Sequence, residues 1–264
     1  NLMMDELVEA YRARSLGVAP EWPDEPAPFH EFARKQVQSG VNARHLAFWT
    51  DMLGDAPREL VLFTNEPKLP DEPATDDSSV AGGWVEIRLE SDVSEGLYAI
   101  AKENSASLFN VVYGAISAAL QALGGLSDLV IGTSAAGRTD PDYFDTIGYF
   151  TTVVAHRVRF GDDPTVGTLI GNIKDMINGS MPFTDIPIDL VEDALGMTPG
   201  TDHLFDVFIQ IHAQNKLNGN LPAPDGGTIA FRQIDPDKHE SHLGLQFEVM
   251  EEVIDGNRAI RVLM

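Results

Sequence analysis

Apolar residues recur at helical spacing over residues 2 to 14. Leu2, Met3, Leu7, Ala10 and Tyr11 mark one face, with Glu6, Glu9 and Arg12 between them. The same spacing predicts a helix over 29 to 54, with Phe32, Val37, Leu46, Trp49 and Leu53 as its apolar positions. The pattern then changes period. Residues 84 to 89 alternate and read as a strand. Asp92 and Glu95 have cap spacing for a helix running to about Asn104, and the apolar run 106–123 reads as a buried helix. Leu129 to Thr133 is a short buried strand, and Thr152 to Phe160 another strand. Val166, Leu169, Ile170, Ile173, Met176 and Ile177 define an amphipathic helix over 165 to 178. Pro187 to Leu195 is a further helix, with proline near its first turn. Phe205, Val207, Ile209 and Ile211 alternate in a strand over 204 to 213, and 228 to 234 is one more. Leu243 to Val253 and Arg258 to Leu263 flank Asp255-Gly256-Asn257, a hairpin signal.

Prolines 20, 23, 26 and 28 make 18 to 28 an irregular linker, and 64 to 83, rich in Pro, Asp, Ser and Gly, reads as a loop open to nicking. The sum is an α/β sandwich, a mixed sheet with helices packed on it and no internal repeat. The chain starts inside a helix without a cap and stops inside a strand. Asn1 is therefore expected not to be the biological start, and the C-terminus is equally abrupt.

Composition narrows the partners. Eighteen Lys and Arg face 41 Asp and Glu, a formal charge of −23. At 43% hydrophobic the chain has material for a core, so it is not a disordered acidic tail. The charge disfavours nucleic acid and anionic membrane surfaces, and permits a partner with a basic face. Its simplest use is solubility. There is no cysteine, which excludes disulfides, thiolate nucleophiles and Cys-based metal sites and suits a cytoplasmic protein. The first residues have neither a basic nor an apolar region, so they are no signal peptide. The uncharged run 104–127 is long enough to span a bilayer, but polar residues and Gly124-Gly125 interrupt it and favour a core helix.

Seven histidines are the natural chemical candidates: 30, 45, 156, 203, 212, 239 and 242. His239-Glu-Ser-His242 comes nearest to a metal-ligand spacing, and a solvated loop explains it better. No metal and no cofactor is expected. Gly132-Thr-Ser-Ala-Ala-Gly137 lacks the Lys-Ser/Thr of a phosphate loop and reads as a tight turn. His156 lies mid-strand between Val154 and Val158, so it shares a buried face and reads as a hydrogen-bonded core histidine. Asp140, Asp142 and Asp145 fall on an exposed turn; they are candidate partner contacts, and equally a capped turn leading into a strand.

Order and spacing carry a resemblance. Ser107-Leu-Phe-Asn-Val-Val-Tyr-Gly-Ala, Asp128-Leu-Val-Ile-Gly-Thr, Ala136-Gly-Arg-Thr139 and Ile147-Gly-Tyr-Phe150 resemble, in that order, the condensation-domain superfamily of nonribosomal peptide synthetases. Phe29-His-Glu-Phe-Ala33, His45-Leu-Ala-Phe-Trp49, Asp185-Ile-Pro-Ile-Asp-Leu-Val191 and Leu204-Phe-Asp-Val207 extend it over the whole chain. The resemblance implies a chloramphenicol-acetyltransferase-like fold of two lobes. Residues 1–83 would be a bridging helix, linker and inter-lobe segment, and 84–264 the C-terminal lobe. The family's His-His-x-x-x-Asp-Gly motif belongs to the N-terminal lobe, which is absent from this chain. Thr152 and His156 would lie near the channel between lobes, without catalytic roles.

Three departures stand out. Thr152 stands where active members carry Asn, Phe183-Thr184-Asp185 where they carry His-Gln-Asp, and Thr201-Asp202-His203 where they carry an Arg. Together they suggest a member that no longer condenses, and within the superfamily the chain most resembles the X-domain of glycopeptide-antibiotic synthetases. That likeness implies a noncatalytic domain which recruits cytochrome P-450 oxygenases to crosslink a peptide held on the adjacent carrier protein. Two alternatives stay open. One is an active condensation domain, decided by the sequence before Asn1; the other is an epimerisation domain, decided by the chirality of a loaded carrier.

Overall fold

A computed structural model describes residues 2–22, 25–58, 83–162, 165–212, 219–223, 226–232, 234, 243–254 and 257–264. They fall into two compact units. The first comprises Asn1–Val41, Ala136–Thr151 and Ala213–Asp237; the second comprises Asn42–Ala135, Thr152–His212 and Lys238–Met264.

The first unit holds helices α1 (Leu2–Ser15) and α2 (Phe29–Ser39) and a two-stranded antiparallel ribbon, β5 (Gly219–Pro222) with β6 (Thr228–Phe231). Its centre is aromatic. Phe29, Phe32, Tyr143 and Phe150 pack with ring centroids 4.6–6.1 Å apart.

The second unit holds α3 (Ala43–Leu53), α4 (Ser91–Glu103), α5 (Leu108–Gly124), α6 (Val166–Ser180) and α7 (Ile188–Ala194). Its six-stranded sheet is built from β1 (Glu86–Arg88), β2 (Asp128–Ala135), β3 (Thr152–Arg159), β4 (Val207–His212), β7 (Leu245–Ile254) and β8 (Asn257–Leu263). The order is β1-β8-β7-β4-β2-β3. Strand β4 runs parallel to both β2 and β7, and the other pairs are antiparallel. The sheet is therefore mixed, as the sequence predicts.

Both faces of the sheet are covered. Ile131 of β2 packs with Tyr113, Leu120, Leu169 and Ile173 of α5 and α6. Its neighbour Val130 points the other way, into Trp49 and Leu53 of α3 and Val191 of α7. That two-sided burial explains the unbroken Leu-Val-Ile run of β2. Helix α5 opens on a reciprocal cap. Ser107 Oγ accepts from the Asn110 amide, and Asn110 Oδ1 accepts from the Ser107 amide. Among the described residues no single helix is long and apolar enough to cross a membrane.

Four elements differ from the sequence reading. The helix expected over 29–54 is two, because Gly40 adopts φ 66° and Asn42 Oδ1 then caps α3 through the amides of Arg44 and His45. The strand expected at 84–89 is three residues long and exposed throughout, an edge strand rather than a half-buried one. Helix α4 begins after Glu90, which makes no side-chain cap; Asp92 turns back to the amide of Val93 instead. The glycine-rich stretch from 132 is not a tight turn, since β2 continues straight through to Ala135. Gly132 is needed there for closeness: an added Cβ would sit 2.3 Å from the Phe205 ring. Gly132→Ala should lower stability by about 1–3 kcal/mol, and Phe205→Leu in the same chain should recover part of that loss, as read by urea unfolding.

Candidate functional site

Strand β3 is rich in β-branched residues, and it forms one edge of the six-stranded sheet. It carries both of the residues that the family resemblance brings near a channel. His156 is 2% exposed. Its ring lies between Trp49 of α3 and Tyr113 of α5, at centroid distances of 5.8 and 6.2 Å. The Ser180 hydroxyl donates to the Ile177 carbonyl at 2.8 Å, so it accepts from His156 Nε2–H, also at 2.8 Å. Nδ1 is then a bare lone pair, buried with no partner among the described residues. Burial drives the His156 pKa down to about 4. At neutral pH the ring is an uncharged piece of the core, as its place between two valines implies.

Thr152 begins β3, and its hydroxyl donates to the Thr184 carbonyl at 3.0 Å. Thr184 is itself buried, with its hydroxyl on the Met181 carbonyl. Phe183 stacks on Phe48 at 4.1 Å with the rings nearly parallel. Its carbonyl accepts from Trp49 Nε1 at 2.9 Å. His45 Nδ1 lies 3.3 Å from the Asp185 carbonyl, and its ring meets Phe183 edge-on. Asp202 is taken up by the backbone of its own turn, accepting from the Thr198 amide at 2.7 Å. The segment where the resemblance implies a His-Gln-Asp triplet is thus held on α3 by packing and backbone hydrogen bonds, and Thr152, where it implies an Asn, is tied to that segment.

In the first unit, Asp140 caps the short 3-10 turn Pro141–Tyr143, accepting from the Asp142 amide at 3.1 Å. Its second oxygen lies 3.7 Å from Lys35 Nζ. Lys35 is held above its ordinary pKa by Tyr143 first and by the carboxylates of Asp140 and Asp142 after it. Asp140 therefore has a structural job. Asp142 and Asp145 are exposed, in a loop that also presents Phe144, Ile147 and Tyr149 to solvent. Arg138 pins this loop by donating to the Tyr143 and Thr146 carbonyls while its guanidinium covers the Phe150 ring at 4.1 Å. The Thr146 hydroxyl donates to the Ala27 carbonyl at 2.7 Å. His239 and His242 lie outside the described residues.

Two features of β3 escape the sequence reading. Arg157, its side chain 7% exposed, donates from Nε and Nη2 to Asp128 at 2.6–3.0 Å and from Nη1 to Asp55 and the Met52 carbonyl. Beside it, Val158 and residues of α3 and α6 line a cavity of about 330 Å3. Arg157 and its carboxylate partners stand 29 and 102 positions apart, so no local pattern announces them.

Comparisons with known proteins agree with this architecture. The family model of the condensation domain matches residues 1–261. A linear gramicidin synthase of Brevibacillus parabrevis is 29% identical over 241 residues, 89% of this chain and 3% of that protein. The dimodular nonribosomal peptide synthase of Bacillus subtilis is 28% identical over 230 residues, 83% of this chain and 9% of its own length. The chain thus spans a small part of these curated relatives. Among solved structures, the X-domain from teicoplanin biosynthesis superposes with a TM-score of 0.72 at 21% identity, covering 99% of this chain and 59% of that one. The first condensation domain of the CDA synthetase gives 0.74 at 17% identity, covering 99% and 54%. A mixed sheet covered by helices on both faces, matched end to end by the family model and by both solved domains, leads to one conclusion: the chain belongs to the condensation-domain family of nonribosomal peptide synthetases.

Proposed function

We propose that the chain is the bridging segment (1–83) and C-terminal lobe (84–264) of a noncatalytic, X-domain-like member of that family. In this reading it recruits cytochrome P-450 oxygenases, in the cytoplasm, to a glycopeptide precursor held on the neighbouring carrier protein. One observation carries the reading. Thr152, Phe183 and Thr184 replace the residues expected of an active member and are taken up by packing and backbone hydrogen bonds. His156, the remaining candidate base on β3, is buried and neutral at physiological pH. A general base needs reach to its proton and a pKa near the working pH, and His156 has neither.

Recruitment requires surface complementarity rather than a nucleophile, and a charge of −23 steers a basic-faced partner by long-range attraction. Asp142 and Asp145 are the contact candidates that remain after Asp140 is assigned to its turn. A solved complex of the teicoplanin X-domain with OxyB shares the fold, with a TM-score of 0.72 at 22% identity. The second reading, peptide-bond formation between carrier-bound substrates, is favoured by the equally good fold match to the CDA condensation domain.

Incubating the two-lobed domain with a donor-loaded and an acceptor-loaded carrier protein separates them. No peptidyl product should form beyond the rate without the domain. Product formation that depends on the domain would establish the second reading.

A further inference from the structure

The cavity beside Arg157 belongs to none of the chemistry above. Its floor is Met52, Val158, Leu169, Ile173 and Met176, and its rim carries Asp51, Asn172 and Arg159. At about 330 Å3 it lies at the small end of ligand-site volumes and suits one or two large apolar side chains. Its wall is rigid, because the guanidinium of Arg157 is clamped between β2, β3 and the end of α3. That clamp leaves Arg157 facing carboxylates and carbonyls on every side, so it presents no attraction to an anion.

The charges around the cavity decide what fits. Arg157 and Arg159 stand against Asp51, Asp55 and Asp128, leaving one net negative charge. Arg159 reaches Asp55 and Asp128 only at 3.7 and 3.6 Å. Asp51 is exposed and makes no ion pair among the described residues, and the Asn172 amide is equally free there. An apolar floor beneath one unpaired carboxylate is complementary to an apolar body with a cation at its edge.

We propose that this groove, formed by α3, β3 and α6, is an anchor site for the recruited protein partner. It takes an apolar side chain of that partner whose neighbouring Lys or Arg pairs with Asp51. The partner's identity rests on the recruitment reading; the chemistry of the groove does not.

Two measurements test it together. The first is binding of OxyB to the unsubstituted chain and to the Met176→Arg and Asp51→Arg variants, with thermal unfolding as the folding control. Met176→Arg fills the floor and places a cation there, and Asp51→Arg reverses the rim charge. Each should weaken binding about tenfold or more. The second follows methyl resonances of Met52 and Met176 while n-hexylammonium or n-hexanol is added. Both methyls should shift saturably, and more readily with the ammonium than with the alcohol; Asp51→Asn should abolish the preference. Equal OxyB binding by folded variants and unsubstituted chain would overturn the groove while leaving recruitment in place. Failure of the unsubstituted chain to bind OxyB, with the ammonium preference intact, would remove OxyB as the partner and keep the anchor chemistry. Absence of any saturable methyl shift would overturn the anchor chemistry itself.

Discussion

Replacing Arg157 with methionine is expected to lower the stability of the chain by about 2–3 kcal/mol. Methionine keeps the aliphatic stem along β3 and deletes the guanidinium. Asp128, three-quarters buried, then loses its bidentate partner, and the Met52 carbonyl at the end of α3 loses its donor. Removing one member of a buried ion pair leaves the other short of compensation, here with only Arg159 at 3.6 Å from Asp128, and that penalty exceeds the small net value of the intact pair. The expected loss sits below that of a fully dry pair because solvent reaches part of the cluster. Urea unfolding at neutral pH measures it. The Arg157→Met, Asp128→Asn double variant should be less destabilised than the two single losses added together, since each removes the same interaction. A loss within a few tenths of a kcal/mol, or strict additivity, would show that the network does not hold α3 to the sheet.

His156 gives the second large effect, and its sign is fixed by burial. The folded protein holds this imidazole neutral, with a pKa of about 4 against an ordinary 6.5. Between those values the unfolded chain binds the proton and the folded chain does not, so acid favours unfolding throughout that window. His156 contributes its full stability above pH 6.5. It loses that stability progressively down to about pH 4, by about 3 kcal/mol in all. His156→Leu lacks the titration, and Ser180 keeps its bond to the Ile177 carbonyl in that variant. Urea midpoints at pH 7, 5 and 4 should therefore show the leucine variant gaining on the unsubstituted chain as pH falls. A constant difference across the three would mean that the buried ring is already protonated or already solvated.

These residues show what a sequence displays and what it hides. The amphipathic stripe of α6 is legible because its burial follows a helical period: Leu169, Ile170 and Ile173 are its buried apolar positions. The Leu-Val-Ile run of β2 is legible because a strand covered on both faces has nowhere to place a polar residue. The buried state of His156 is legible from its two valine neighbours, but its partner is not. Ser180 sits 24 positions away, at the end of a helix whose packing decides whether the two meet. Gly132 misleads because a glycine that admits a ring from another segment looks, in sequence, like one that permits a turn. Gly40 escapes notice because Phe32, Leu46, Trp49 and Leu53 would share one face of a continuous helix; Val37, which falls off that face, is exposed.

The candidate site divides in the same way. The departures at 152, 183 and 184 are visible as letters, and the fold adds that Phe183 is bound to α3 while Thr152 is tied to Thr184 and Thr184 to Met181. The aspartates before Ile147 are visible as a charged turn. Only the fold separates Asp140, which caps the turn and pairs with Lys35, from Asp142 and Asp145, which face solvent. The groove beside Arg157 has no signature, since its lining comes from three elements spread over residues 51 to 176.

Titration calorimetry of the chain with OxyB, at low and at high ionic strength, tests the recruitment claim most directly. A saturable complex should form at low ionic strength, and its affinity should fall steeply as salt is added, because charge complementarity guides and holds the partner. No complex at low ionic strength, or an affinity indifferent to salt, would contradict it.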